Sequence, residues 1–302
     1  MSEVRRLTKC RDGAGRKVVV TKVTLFRCVL SLPLFGRVAA TRRRNTRDEN
    51  ADRHHYVRPL REGGSLPAIV EASDEGLYVM KFRGAGQGKK ALIAEIISGE
   101  LARALGLPVP ELVFLDLDPK FGRNEPHDEI RDLLNASGGL NVGLDWLPGS
   151  ITFDPLVPGA LTAELASAVV AFDALVQNVD RTAKNPNLLT WHRKLWLIDH
   201  GASLYFHHAW ANPDEAARST FPPIRQHVLL RFASALNEVR FELTRAQLEA
   251  VVANVPDAWL ADEPGFGSAA EVKAAYVRFL ETRLANRARF VEEATRARAQ
   301  LV

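Results

Sequence analysis

A chain of 302 residues has room for one large domain or two modest ones. Apolar residues make up 46% and charged residues 25%, which places it with ordinary globular chains and excludes fibrous and low-complexity classes. The formal net charge of +4 is unevenly spread: residues 1–47 hold thirteen Lys or Arg against two acids, leaving −7 for the rest, so nucleic-acid binding by the body has no electrostatic support.

Residues 1–50 show no sustained period and end in the run Arg42-Arg43-Arg44; they are expected to form a basic, disordered extension. The most apolar run, residues 18–40, is interrupted by Lys22, Arg27 and Arg37, so it predicts no transmembrane helix. Its end at Val38-Ala39-Ala40 only faintly resembles a secretory signal. Cys10 and Cys28 are the only cysteines. The remainder therefore has neither a disulfide framework nor a cysteine metal site, which fits a reducing, cytoplasmic setting.

Two short strands are predicted at 67–72 and 77–82, joined by the turn signal Ser73-Asp74-Glu75-Gly76. Glu62-Gly63-Gly64-Ser65 precedes them, and the backbone amides of Gly63, Gly64 and Ser65 are candidates to close over phosphates. The motif matches neither Gly-x-Gly-x-x-Gly nor a Walker A sequence, which argues against a P-loop NTPase. A helix follows over 89–105, with Leu92, Ile93, Ile96, Ile97, Leu101 and Leu105 at helical spacing, stopped by Gly106 and Pro108. Further strands are expected at 111–117 and 140–146, across a polar loop containing Pro119 and Pro126. Asp145 and Leu147, in the segment ending Pro148-Gly149, suit a connector whose backbone meets an adenine.

After that connector the character changes. Residues 162–177 predict a helix apolar on all sides, the centre of a second, larger lobe. Thr244 with Gln247 and Ser268 with Glu271 have capping-box spacing. A last helix, near 269–299, carries alternating charges and is expected to face solvent. The fold class that follows is α+β and bilobal. The expected division is an extension over 1–50, a small β-rich lobe over 51–147 and a larger, mainly helical lobe over 148–302.

The chemistry concentrates in residues 172–201. Leu188-Leu189-Thr190 and Leu195-Trp196-Leu197-Ile198 predict a β-hairpin, with Asn185 just before it and Asp199 just after it. The two ends of a hairpin meet, so Asn185 and Asp199 are candidates to hold one ion, and Asp180 lies five residues before Asn185. Oxygen ligands of this kind suit Mg²⁺. Phosphoryl transfer needs such a set: a carboxylate on the attacking hydroxyl, and an Asn and an Asp holding metal on the phosphates. Asp-x-x-x-x-Asn, a hairpin, then Asp-x-Gly is the protein-kinase arrangement, with His200 where kinases have Phe.

Upstream, Lys81 interrupts an apolar strand, and burying it calls for an anion. A phosphate and a helix carboxylate would serve, and Glu95 is the candidate partner. His200, His207 and His208 have no acid or cysteine at ligand spacing and read as a solvated loop. Ser219 and Thr220 lie where kinases carry an activation segment.

With these residues in view, the chain resembles the HipA-like kinases, over about residues 56–235. The resemblance rests on Tyr78-Val79-Met80-Lys81-Phe82, the helix end at 104–110, Asp180-Arg181-x-x-Lys184-Asn185 and Ile198-Asp199-His200-Gly201. More distantly, the Leu147-Pro148-Gly149 connector looks like that of phosphatidylinositol kinases. The resemblance implies an ATP- and Mg²⁺-dependent phosphotransferase, most directly a protein serine/threonine kinase. Lys81 and Lys184 would meet ATP, Glu95 would orient Lys81, Asp180 would be the catalytic base, and Asn185 and Asp199 would ligate Mg²⁺. The implied partners are ATP and a protein or small-molecule phosphoacceptor. An antitoxin-like partner also belongs to the family, but the chain is shorter than full-length members and its N-terminal arm does not look like their additional N-terminal subdomain. A lipid or small-molecule kinase and a non-catalytic pseudokinase are the alternatives.

Overall fold

The structure is a computed structural model. It describes residues 66–118, 125–157, 159 and 161–301, together with the backbone of two strands in the preceding segment. Those two are β1 (Val18–Lys22) and β2 (Tyr56–Pro59). The expected Gly63, Gly64 and Ser65 loop lies outside the described residues.

The small lobe is built on a six-stranded sheet with β3 (Ala68–Glu71), β4 (Leu77–Lys81), β5 (Leu112–Leu117) and β6 (Gly139–Asp145). Its order is β1-β5-β6-β4-β3-β2, with every pairing antiparallel. Val18 pairs with Leu117 in the outermost ladder, so five residues of the expected amino-terminal extension are a strand of this sheet.

Side chains alternate across a pleated strand. Tyr78 and Met80 on β4 therefore point into one core, with Val70, Val113 and Leu115, while Lys81 points to the other face. β5 is buried on both faces: Val113, Leu115 and Leu117 join that core, and Leu112 and Phe114 join the main one. This is why 112–115 reads as a continuous apolar run. Gly143 on β6 is required by packing, since a Cβ there would lie 2.6 Å from Leu115 Cδ1 and 2.9 Å from Val113 Cγ2.

Helix α1 (Lys89–Ala104) covers the sheet's inner face with Leu92, Ile93, Ile96, Ile97 and Leu101, all buried. Each such side chain stabilises by about 1.5–3 kcal/mol relative to exposure. The polar segment before β6 contains a helix the sequence reading did not foresee, α2 (Asp128–Ala136), which packs Leu134 on the outer face.

The larger lobe starts with β7 (Ile151–Thr152), which pairs with the hairpin of β8 (Leu188–Trp191) and β9 (Lys194–Leu197). Helix α3 (Ala163–Val176) is buried nearly all round, as its composition demands, and starts with Thr162 Oγ1 accepting from Leu165 N. Helices α4 (Pro213–Arg218), α5 (Arg245–Ala253) and α6 (Asp257–Leu260) follow. The α5 start is the expected capping box of Thr244 and Gln247. The single solvent-facing helix expected at the end is instead two, α7 (Ala269–Ala285) and α8 (Arg287–Ala299), broken at Asn286. Both are half-buried: Tyr276, Phe279, Leu280, Phe290 and Ala294 belong to the main core, and the alternating charges occupy only the opposite face.

Candidate active site

Four pieces of chain converge between the sheet and the helical lobe: β4, α1, the loop after α3 and the segment after β9. Lys81 on β4 points to α1, where Glu95 is fully buried. Lys81 Nζ lies 2.6 Å from Glu95 Oε2 and 2.5 Å from Asp199 Oδ1. Burial disfavours the ammonium, but Asp199 and Glu95 outweigh it and raise the Lys81 pKa above its usual value. Burial likewise acts to raise the Glu95 pKa, yet Lys81 and the His200 contacts bring it down to about 2. Both groups stay charged. The buried ammonium is thus compensated by two carboxylates, one on each neighbouring element.

Asp199 follows β9 in a left-handed conformation, φ 55°, which turns the chain so that the His200 amide donates to Glu95 Oε2 at 2.7 Å. His200 is buried and edge-on to Phe172, with ring centroids 6.0 Å apart. It fills the apolar place the motif gives to Phe. His207 is buried too, so neither histidine lies in the solvated loop the sequence suggested. Among the described residues, no cluster of His, Cys, Asp or Glu has the makings of a metal site by itself.

Across the cleft, α3 ends at Gln177 with a left-handed cap, φ 56° and ψ 46°. Asn178 Oδ1 then accepts the Asp180 amide at 3.0 Å, and Asn178 Nδ2 donates to Asp173 Oδ1 at 3.1 Å. Asp180 Oδ2 accepts from Asn185 Nδ2 at 2.8 Å and from Asn187 Nδ2 at 3.3 Å. Burial and the Asp199 charge raise the Asp180 pKa; the two asparagine bonds only partly oppose them.

The loop is held from beneath by a buried ion cluster. Asp173 Oδ2 accepts from Arg181 Nε at 2.6 Å and contacts His227 Nε2 at 2.8 Å. Arg181 Nη1 continues to the carbonyls of Asn187 and Ile198. One buried guanidinium thus ties the loop before the hairpin to the segment after it.

The hairpin register places Asn187 opposite Ile198. Leu188 pairs with Leu197, and Ile198 N donates to Asn187 O at 3.1 Å. Asn187 therefore sits at the hairpin mouth, one residue from Asp199. Asn185 lies further out, exposed, with its carbonyl turned back to Thr182 N. The sequence reading named Asn185 at the Asp-x-x-x-x-Asn spacing and did not name Asn187, which also bonds Asp180; Pro186 separates the two. The signal available was Asn187 immediately preceding Leu188.

Of the remaining expected residues, Lys184 is exposed on the same loop. Asp145 and Leu147 form the lobe connector. The Asp145 amide donates to Glu111 O and the Trp146 amide to Leu77 O, so those two amides are taken up within the fold. Leu147 is buried.

A family model for HipA-like kinases matches residues 54–292. The chain belongs to the HipA-like kinase family. Its activity class is therefore that of a kinase-type phosphotransferase, and the α+β bilobal architecture is the kinase-like one. The crystal structure of a Helicobacter pylori proinflammatory kinase, CtkA, is similar at 13% identity, covering 82% of this chain and 96% of that one with a TM-score of 0.44. No curated protein matches the sequence. The structure brings Lys81, Glu95 and Asp199 together on one side, and Asp180, Asn185 and Asn187 together on the loop beside them.

Proposed function

We propose that this kinase transfers the γ-phosphoryl group of ATP to a serine or threonine hydroxyl of a protein, in a Mg²⁺-dependent reaction. The observation that supports this most is the Lys81 ammonium held between Glu95 and Asp199, facing a loop that presents Asp180. Lys81 binds phosphate oxygens, and Glu95 fixes its direction. Asp180 orients the acceptor hydroxyl and takes its proton as the new P–O bond forms and the bond to ADP breaks.

The donor set fits magnesium. Asp199 and the two amides beside Asp180 offer oxygen ligands, which suits a hard cation that keeps part of its water. When bound, the ion neutralises charge on the phosphates. Asp199 and an amide beside Asp180 would hold it, with Lys184 reaching the nucleotide from the same loop and the Asp145–Leu147 backbone beside the adenine. No helix among the described residues is long and apolar enough to cross a membrane, and we place the kinase in the cytoplasm.

Calorimetry of ATP binding with and without Mg²⁺, on wild type and Asp199→Ala, tests the nucleotide site. Asp180→Ala tests the chemistry: it should bind Mg²⁺-ATP like wild type yet lose roughly 10²–10⁴ in rate of transfer to protein. Transfer to a metabolite or lipid panel, but never to protein, would replace the acceptor class. An intact ATP site without transfer to any acceptor would point to a pseudokinase.

A further inference from the structure

Helix α1 carries Glu95, yet its own start is weakly anchored. Gly88 precedes it with φ 65° and no side-chain cap, and the first turn has no acidic residue. The fixing comes from the other lobe. Lys90 Nζ donates to His207 O at 2.5 Å, to His208 O at 3.3 Å and to Glu263 Oε1 at 2.8 Å. The 3₁₀ turn Tyr205–His208 that supplies the carbonyls begins four residues after Gly201. It is itself fastened to α7, through His207 Nδ1 and the Tyr276 hydroxyl at 2.8 Å.

Three more contacts continue the same seam. A Cβ at Gly201 would lie 3.4 Å from Ala91 O, so the two backbones touch. The His200 amide is bonded to Glu95 Oε2, and Ser98 Oγ lies 2.6 Å from Ser203 Oγ. Positions 91, 95 and 98 share one helix face, with Lys90 at its leading edge. Helix α1 is thus laced along residues 200–208 by polar contacts, beside the apolar core it shares with the helical lobe. Five residues separate Lys90 from Glu95, about 7.5 Å of helix, so a restraint at Lys90 limits both rotation and sliding of Glu95.

We propose that Lys90 is a positioning residue: by bonding the 205–208 turn and Glu263 it holds α1 where Glu95 meets Lys81, coupling that pair to the segment that carries Asp199. The catalytic part of this inference rests on the kinase reading; the coupling part does not. The Lys90 ammonium is taken up by two carbonyls and Glu263, so its effect passes through Glu95. Losing the three bonds frees the leading turn of α1, and Glu95 departs from both Lys81 and the His200 amide.

The full-length chain is compared as wild type, Lys90→Met and Lys90→Arg, by amide hydrogen exchange and by kinetics. In Lys90→Met, exchange at the His200 amide and through residues 91–98 rises at least about tenfold, while α3 keeps wild-type protection. Turnover falls roughly 10–100-fold with the acceptor KM unchanged, as expected for a misplaced catalytic group. Lys90→Arg, which still presents donors to the three oxygens, recovers most of both. Exchange at His200 within about twofold of wild type in Lys90→Met would overturn the proposal, and so would a uniform rise that includes α3, which would mean global loosening. If wild type bound no nucleotide, the kinase reading would fall, and the exchange comparison would still decide whether Lys90 holds Glu95.

Discussion

Glu95 Oε2 accepts from Lys81 Nζ at 2.6 Å and from the His200 amide at 2.7 Å, so one buried oxygen joins β4, α1 and the segment after β9. Removing the cation leaves that fully buried carboxylate without its main counter-charge. Lys81→Met is therefore expected to destabilise the fold by about 3–5 kcal/mol in urea unfolding, besides abolishing transfer. Glu95→Gln keeps a hydrogen-bonding oxygen and leaves Lys81 paired with Asp199, so its loss should be clearly smaller. Equal losses would show that the pair is not electrostatically coupled in the folded state.

The two asparagines beside Asp180 should behave differently. Asn187 sits at the hairpin mouth beside Asp199, while Asn185 is exposed and turned towards Thr182. Asn187 has φ 47°, so glycine is the right replacement, since it removes the amide without backbone strain. In calorimetric titrations, Asn187→Gly should raise the Mg²⁺ concentration needed for ATP binding by about tenfold, or about 1.4 kcal/mol. Asn185→Ala should stay within about threefold. The reverse order would return the metal role to the residue at the motif spacing.

Much of this site was legible because its chemistry is written in local pattern. Lys81 inside an apolar strand carries a burial cost that a carboxylate relieves, and Glu95 on the next helix is the partner that cost calls for. The contact of Lys81 with Asp199 was not legible, because the pattern after the hairpin marks Asp199 only as an ion ligand. What was not legible depends on register and on long-range packing. The Asn-Pro insertion shifts the asparagine at the hairpin mouth by two residues, which a spacing rule cannot see. Helix α2 escaped because only Leu134 is fully buried on a nine-residue, acid-rich helix. The break at Asn286 escaped because both flanking segments keep helical spacing. Lys90 looks like any surface lysine until the other lobe's carbonyls are placed around it.

The Asp173–Arg181 pair is a second buried ion pair, here with one carboxylate answering the cation. Arg181 is 1% exposed, and its guanidinium also holds the carbonyls of Asn187 and Ile198. Burial works to raise the Asp173 pKa, but Arg181 and His227 more than reverse it and leave the carboxyl well below its ordinary value. Asp173→Asn leaves the guanidinium uncompensated and should destabilise the chain by about 3–5 kcal/mol. By linkage, a carboxylate with a depressed folded pKa contributes above its unfolded value of 3.8 and loses that contribution as pH falls below it. The gap between wild type and variant should therefore be constant from neutral pH to about pH 4 and narrow only below. A gap that closes already at pH 6 would assign the effect to His227 instead.

His207 supplies the clearest test near physiological pH. Its ring is buried against Tyr276, and burial, followed by the charges of His208 and Lys90, lowers its pKa from 6.5 to about 3. The folded chain thus keeps the imidazole neutral, while the unfolded chain protonates it below pH 6.5. The stabilisation is complete above 6.5 and is lost progressively as pH falls towards 3. His207→Gln retains a hydrogen-bonding partner for the Tyr276 hydroxyl but has nothing to titrate. Between about pH 5.5 and 4.5, wild type should lose about 1.4 kcal/mol more than the variant for the one proton involved. Urea midpoints collected across that range measure the difference directly. Parallel curves for the two proteins would mean that the His207 ring accepts its proton within the fold, and that the turn contacting Lys90 opens under mild acid.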